Sequence, residues 1–380
     1  MQRLAPRADW PCAALLGCLA LRTVCAAPHI PASDFVVLAE LPPGTQHTSV
    51  PARELARNRL DVALPLARFY ISRARASGDL RYLGYAQAAL DPWLASTAPP
   101  NAAVLVLEGT ILQSRHDFTA ALATLDEALR RNPDDVQGWL TRATVLRVLG
   151  RYAEAASSCA HLAAHADPAV ASLCSQALRG LTGHLSEAYD AVLGLAPESL
   201  PSAARAWRDS ELGEMAVRRG DASAAARWFR DGLALAPDDL YLRTAWADLL
   251  LRQGRDAEVL QLLAGYESIE PALLRIVIAQ TRRADPRSAR SRALLAEAFA
   301  IEQRRGDGVH LREQARFLLD IEQRTDAALA AAQENWRVQR EPDDALILLR
   351  CARAAQQPAA AAPVRLFLQQ QGLEDVRLRE

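Results

Sequence analysis

The sequence contains no lysine, so the 44 basic residues of this 380-residue chain are all arginine. They are balanced by 45 acidic residues, which leaves a formal net charge of -1. Because charges of both signs are mixed along the chain, it lacks the positive field that attracts a phosphate backbone, and nucleic-acid binding is not expected. Half of the residues are hydrophobic, which is enough to form a continuous core.

Long apolar runs are missing beyond the N-terminus, so no transmembrane segment is expected in the mature chain. At the N-terminus, Arg3 and Arg7 precede an apolar stretch that ends in the cleavage-like triplet VCA. This order is typical of an export signal, and we predict that residues 1–26 are removed and that the protein is periplasmic or otherwise exported. The stretch LLGC also resembles a lipoprotein processing box, which would place a lipid anchor at Cys18.

Signatures of common enzymes are missing as well. The sequence has no Gly-rich phosphate loop, no Ser-centred nucleophile elbow and no zinc-hydrolase helix. His184, Ser186 and Asp190 lie close together in the sequence, but one short helix cannot bring their three side chains to a common point. We therefore predict a non-enzymatic protein that has no cofactor.

The phrase Pro-Asp-Asp occurs three times, beginning at Pro133, Pro237 and Pro342, between segments rich in alanine and leucine. The spacings of 104 and 105 residues are each close to three units of about 34 residues, a known period of helical repeats. Proline cannot continue a helix, and the aspartate that follows it can cap the next one. The phrase therefore indicates a boundary between helical units, with Asp134, Asp238 and Asp343 as the predicted caps.

Small residues recur inside these units at the places where two packed helices approach closely. Gly109 and Ala121 in one unit are followed by Ala143 and Ala155 thirty-four residues later, and Gly213 and Ala225 hold the same places further on. This pattern resembles that of the tetratricopeptide repeat family. The resemblance implies an all-α fold, a right-handed superhelical solenoid of stacked antiparallel helix pairs.

The resemblance also implies a division of the chain. The helical solenoid is expected over residues 61–380, with about seven or eight helix pairs, and the clearest repeats at 102–135, 136–168, 206–239 and 240–265. Residues 27–60, which are rich in proline, are expected to form an extended lead-in. The stretch from about Tyr266 to Arg305 requires an insertion before the repeats can be phased.

In such repeats the first helices of the pairs line a concave groove that holds protein segments. Together with the export signal, the resemblance implies an exported scaffold that binds a protein or peptide, and we expect the side chains of Arg147 and Arg218 to be exposed. By the repeat register, the residues facing the groove are Gln113, Thr141, Thr144, Arg147, Glu214, Arg218, Asp248 and Arg252. The basic clamp with which some family members hold acidic chaperone tails is not recognisable among them.

The remaining cysteines and histidines offer alternatives. The register places Cys159 and Cys174 on neighbouring helices, where they form either a disulfide or two buried thiols. His161 and His165 lie one helical turn apart, and a metal-handling or enzyme-accessory role in the cell envelope is the rival function, although no third ligand is evident nearby. The arginines of residues 282–292 are interpreted as a solvated surface, with an acidic ligand as the alternative.

Overall fold

Nineteen α-helices joined by short turns make up most of the part of the chain that the computed structural model describes, which is residues 50–96, 99–305 and 310–378. In chain order the helices are α1 (Val50–Asn58), α2 (Leu60–Ser77), α3 (Arg81–Leu94), α4 (Ala102–Ser114), α5 (Phe118–Arg131), α6 (Val136–Val148), α7 (Tyr152–His165), α8 (Pro168–Arg179), α9 (Leu185–Leu193), α10 (Ser202–Arg219), α11 (Ala222–Leu235), α12 (Leu240–Arg252), α13 (Asp256–Leu262), α14 (Glu270–Arg282), α15 (Ser288–Arg305), α16 (Leu311–Asp320), α17 (Thr325–Val338), α18 (Pro342–Ala354) and α19 (Ala362–Gln371). None of the helices in these ranges is long and apolar enough to cross a membrane.

From α2 onward, the described helices pack as nine consecutive pairs, each followed by the next pair along the chain. The sequence predicts seven or eight pairs, with an insertion needed to phase the stretch from about Tyr266 to Arg305. The structure has one more pair in this stretch, α14 and α15. The turns inside two pairs require left-handed backbone at Gly150 (φ 71°) and Gly220 (φ 82°), which glycine adopts without steric cost. The all-α solenoid expected from the sequence is confirmed.

Small residues allow the two helices of a pair to approach, as the sequence pattern predicts. A Cβ atom at Gly109 would lie 2.7 Å from Leu125 Cγ, and one at Gly213 would lie 2.4 Å from Phe229 Cε1. Ala121 and Ala225, on the second helices of the same two pairs, are completely buried. The helices of these two pairs can therefore lie this close together only because Gly109 and Gly213 have no side chain.

The helix caps differ by one residue from those predicted. Asp135 and Asp239, not Asp134 and Asp238, accept hydrogen bonds from the backbone N–H groups of Gly138 (2.8 Å) and Leu242 (3.0 Å). The correction follows from geometry, because an N-cap oxygen reaches the amide three residues ahead and the proline and first aspartate still belong to the turn. At the third phrase, Glu341 and Asp344 form a reciprocal capping box.

The predicted lead-in is helical where the structure describes it. Residues 50–58 form α1, which packs against α2 and α3. Proline is tolerated in a first helical turn, so Pro51 does not prevent this helix. Residues 27–49 of the lead-in and the export signal at residues 1–26 lie outside the described residues.

The last helix pairs fold back onto much earlier ones. The Arg340 backbone N–H donates to Val148 O at 2.8 Å, and the Tyr152 hydroxyl donates to Arg340 O at 3.3 Å. Near the C-terminus, Glu374 accepts a hydrogen bond from the Leu185 backbone N–H at 2.7 Å. The solenoid between residues 50 and 378 therefore closes on itself, and the C-terminal helices contribute side chains to the face formed by the first helices of earlier pairs.

Candidate functional site: a charged inner face

The residues predicted to line the groove all lie on the first helices of four pairs, α4, α6, α10 and α12. We call the surface formed by the first helices of the pairs the inner face. Thr141, Arg218 and Asp248 are buried there, with relative exposures of 5%, 3% and 9%. Gln113, Arg147 and Glu214 are half-buried, and Thr144 and Arg252 are exposed.

The expectation that the side chains of Arg147 and Arg218 would be exposed is thus wrong, because Arg147 is half-buried and Arg218 is buried. The buried hydroxyl of Thr141 is satisfied within its own helix, because it donates to the Gln137 carbonyl at 2.8 Å and accepts from the Gln137 side-chain amide at 3.0 Å. The charged residues are covered by partners from other helix pairs.

The first charged contact joins α6 to α10. Arg147 Nη1 lies 2.6 Å from Glu211 Oε1, and the Trp207 indole N–H donates to the same oxygen at 3.0 Å. Burial alone would raise the pKa of Glu211, but the Arg147 guanidinium holds it below its usual value. Glu211 is buried in the site, and the sequence did not predict its role. Its partner Arg147 lies two helix pairs earlier, with the pair of α8 and α9 between them.

A second contact joins α12 to α14 and α16. Asp248 lies between two guanidinium groups, 2.6 Å from Arg275 Nη2 and 2.9 Å from Arg316 Nη1. Burial opposes ionisation, yet Arg275 and Arg316 lower the pKa of this carboxyl to about 2. Asp248 is therefore ionised throughout the physiological pH range and ties three helices together.

Glu214, one turn after Glu211 on α10, has the opposite character. Its carboxylate accepts a hydrogen bond from the Tyr241 hydroxyl at 3.2 Å. Burial, together with the negative charge of Asp343, raises the pKa of Glu214 to about 7. Two carboxyl groups on one helix thus titrate in different pH ranges because one has a guanidinium partner and the other faces an aspartate.

The C-terminal segment completes the inner face. Arg377 bridges Asp343 and Asp375, with both nitrogen–oxygen distances at 2.6 Å. Arg218 donates to the carbonyl oxygen of Gly180. Asp343, predicted as a helix cap, serves instead as the partner of Arg377. A local pattern could not predict this pairing because the two residues meet only through the closure of the solenoid.

Three side chains of the inner face remain exposed. Tyr241 is 52% exposed, and Thr144 and Arg252 are exposed as well. An aromatic ring, a hydroxyl and a guanidinium can contact apolar, polar and acidic side chains of a partner. We call these three residues the open rim.

The cysteine pair and the two histidines occupy defined positions outside the inner face. Cys159 on α7 and Cys174 on α8 form a disulfide in the structure, with Cα atoms 5.6 Å apart, and Cys351 is a buried free thiol. The His161 ring stacks on Trp139 with centroids 4.0 Å apart, and His165 Nε2 lies 3.5 Å from Asp134. Each histidine thus has its own partner, and the two are not joined to a third ligand among the described residues.

Three of the five arginines of residues 282–292 have partners within the chain. Arg282 donates to the Leu251 carbonyl at 2.7 Å, Arg287 pairs with Asp285 at 2.7 Å, and Arg292 pairs with Glu322 at 2.6 Å. The interpretation as a solvated surface agrees with their exposed positions.

Comparison with known proteins identifies the repeat. Residues 106–171 match the model of the Tetratricopeptide repeat family. No curated protein matches the chain in sequence. Among solved structures, the Cut9-Hcn1 hetero-tetramer of the APC/C aligns over 86% of this chain and 66% of its own, at 12% identity and a TM-score of 0.51, which supports the fold.

Two bacterial tetratricopeptide repeat proteins align with lower structural scores. A thermophilic protein from Thermus thermophilus covers 50% of this chain and 98% of its own, at 19% identity and a TM-score of 0.38. A protein from Parabacteroides merdae covers 61% of this chain and 93% of its own, at 18% identity and a TM-score of 0.39. Together with the repeat period and the packing of small residues described above, the family match leads to one conclusion: the chain carries tetratricopeptide repeats at residues 106–171 and has the fold of a helical solenoid.

Proposed function

We propose that the protein is an exported, non-enzymatic scaffold that binds a segment of a protein partner at the open rim of its inner face. Tetratricopeptide repeats serve as protein-interaction scaffolds, and the fold of this chain implies the same general role. The observation that carries the finer proposal is the exposure of Tyr241 above a network of buried charges.

The buried charges behind the rim hold the helices together and do not form the contact surface. Arg147, Arg218 and Asp248 have intramolecular partners and stabilise the helix arrangement, so they are not free to bind. Tyrosine and arginine are the residue types that contribute most to binding energy at protein interfaces, and both occur on the rim. The rim therefore replaces the full groove as the proposed contact surface.

The test is capture of partners from the cell-envelope fraction with the full chain as bait. We expect the double variant Tyr241→Ala/Arg252→Ala to lose most of the captured partner while keeping its helical content and melting temperature, because exposed side chains contribute little to stability. A photo-crosslinker placed at Tyr241 should join the same partner covalently.

The matched control is Leu235→Ala/Arg230→Ala on α11, the second helix of the neighbouring pair, where both residues are exposed. The control should capture the partner as the unchanged chain does. Equal capture by the rim variant, with the fold intact, would contradict the proposal and assign binding to another surface.

A further inference from the structure

A cluster of three potential metal ligands lies where α14, α15 and α16 meet, and it contains none of the open-rim residues. Glu270 is the first residue of α14, Glu302 lies near the end of α15, and His310 immediately precedes α16. His310 Nδ1 is 2.5 Å from Glu302 Oε1 and 3.0 Å from Glu270 Oε2. In the described part of the chain, these residues form the one group of three histidine, cysteine or acidic side chains whose ligand atoms could surround a single ion.

The hydrogen bonds within the cluster are incomplete. His310 Nδ1 carries at most one proton, and it faces oxygen atoms from two carboxylates. Glu270 Oε2 is buried from solvent and accepts no well-formed hydrogen bond. A buried acceptor without a donor costs free energy, and a cation between the three groups would supply the missing interaction.

The dimensions suit a small divalent cation. Zn²⁺ binds imidazole nitrogen and carboxylate oxygen at about 2.0–2.2 Å, so neighbouring ligand atoms in a tetrahedral site lie about 3.3 Å apart. The ligand atoms here all lie within 4.8 Å of one another, and their N–O distances are 2.5 and 3.0 Å. Small side-chain rotations that move the ligand atoms by less than about 1 Å would make room for the ion. With a neutral imidazole the cluster carries two negative charges, which a divalent cation balances.

We propose that Glu270, Glu302 and His310 bind a first-row divalent transition-metal ion, with zinc as the representative, and that the ion links α14, α15 and α16. Imidazole as a ligand favours zinc over magnesium and calcium, which prefer all-oxygen sites. The side chains are 15% to 27% exposed, so water can reach the ion and complete its coordination.

The test is calorimetric titration of ZnCl₂ into the purified full chain, free of affinity tags and stripped of metal. We expect one zinc per chain and a higher melting temperature with zinc, because a ligand of the native state stabilises it. Glu302→Gln and His310→Ala should each weaken zinc binding at least tenfold and abolish the shift in melting temperature. X-ray absorption of the zinc-loaded chain should show nitrogen and oxygen ligands without sulfur.

The matched control is the double variant His161→Ala/His165→Ala, which removes the two histidines suggested by the sequence and should bind zinc as the unchanged chain does. The proposal is overturned if Glu302→Gln, which keeps the shape of the side chain, binds zinc as tightly as the unchanged chain. It is also overturned if the His161/His165 variant alone loses binding, or if magnesium binds as tightly as zinc.

Discussion

Some glycines between paired helices are needed because any larger side chain would push the helices apart. A methyl group at Gly213 would lie 2.4 to 3.0 Å from the ring of Phe229, a fully buried residue. We expect Gly213→Ala to destabilise the protein by about 1–3 kcal/mol, because overpacking forces the ring or the helices to shift. Urea unfolding measures the loss.

Gly84 in α3 is the matched control for this substitution. A Cβ atom there would meet nothing within 4 Å, and the residue is exposed. Gly84→Ala should stabilise the protein by about 0.5–1 kcal/mol, since alanine has the higher helix propensity. Equal effects of the two substitutions would contradict the assignment of Gly213 to a close helix contact.

Glu214 and Glu211 on α10 make a pH-dependent prediction. Because burial and Asp343 raise the pKa of Glu214 to about 7, its contribution to stability is present below about pH 4.5 and is lost as the pH rises through 7. Glu214→Gln should therefore be more stable than the unchanged chain at pH 8, by about 1–2 kcal/mol after allowance for solvent screening, and nearly equal to it at pH 4.

Glu211→Gln should behave in the opposite way. The Arg147 guanidinium, acting against burial, lowers the pKa of Glu211, so the substitution removes an ionised partner at pH 5 and pH 8 alike. We expect lower stability at both pH values in thermal melts. A stabilising effect of Glu211→Gln would mean that the ion pair does not form.

At the scale of the elements, the Cys159–Cys174 disulfide links one helix pair to the next. The sequence separation is 15, for which chain entropy gives about 3 kcal/mol of stabilisation. We expect mass spectrometry to find the two cysteines linked when the protein is isolated without reductant, and Cys159→Ser to lower the melting temperature. Burial raises the pKa of Cys351 to about 12, so this thiol should be alkylated only after unfolding. If both Cys159 and Cys174 were alkylated in the native protein, the disulfide would be absent and the prediction would be wrong.

The C-terminal segment after α19 stabilises the inner face through Arg377. Replacing Arg377 with alanine leaves Asp375, which is 3% exposed, without its guanidinium partner. We expect Arg377→Ala to destabilise the protein by about 3 kcal/mol in urea unfolding, because a buried charge loses its counter-ion. Arg337→Ala on α17 removes an exposed arginine and should change stability by less than about 0.5 kcal/mol.

At the scale of the whole molecule, export remains a prediction from the N-terminal sequence, which lies outside the described residues. A fusion of residues 1–40 to a reporter that is active only outside the cytoplasm should be active, because a basic start followed by an apolar stretch directs export. Palmitate labelling that is lost in Cys18→Ala would identify a lipid anchor. Retention of the full-length protein in the cytoplasm would contradict the prediction.

The sequence by itself determined the helical repeat. Helix pairs, turn glycines such as Gly150 and the packing positions of Ala121 and Gly213 follow from the order of residues within about 34 positions, and local periodicity reveals such order. The register also placed the groove residues on the correct helices, although the capping aspartates were displaced by one residue because the turn includes the first of them.

Only the tertiary structure decided which of those residues are exposed. The contact between Tyr152 and Arg340 spans 188 residues and depends on small rotations between successive pairs, summed over the solenoid. The same closure covers Arg218 and Asp248 and brings Arg377 to Asp343. The packing of α14, α15 and α16 likewise brings His310 to Glu270 across forty positions of sequence. No local sequence pattern predicts these contacts, because each depends on the geometry of all the helices between the two residues.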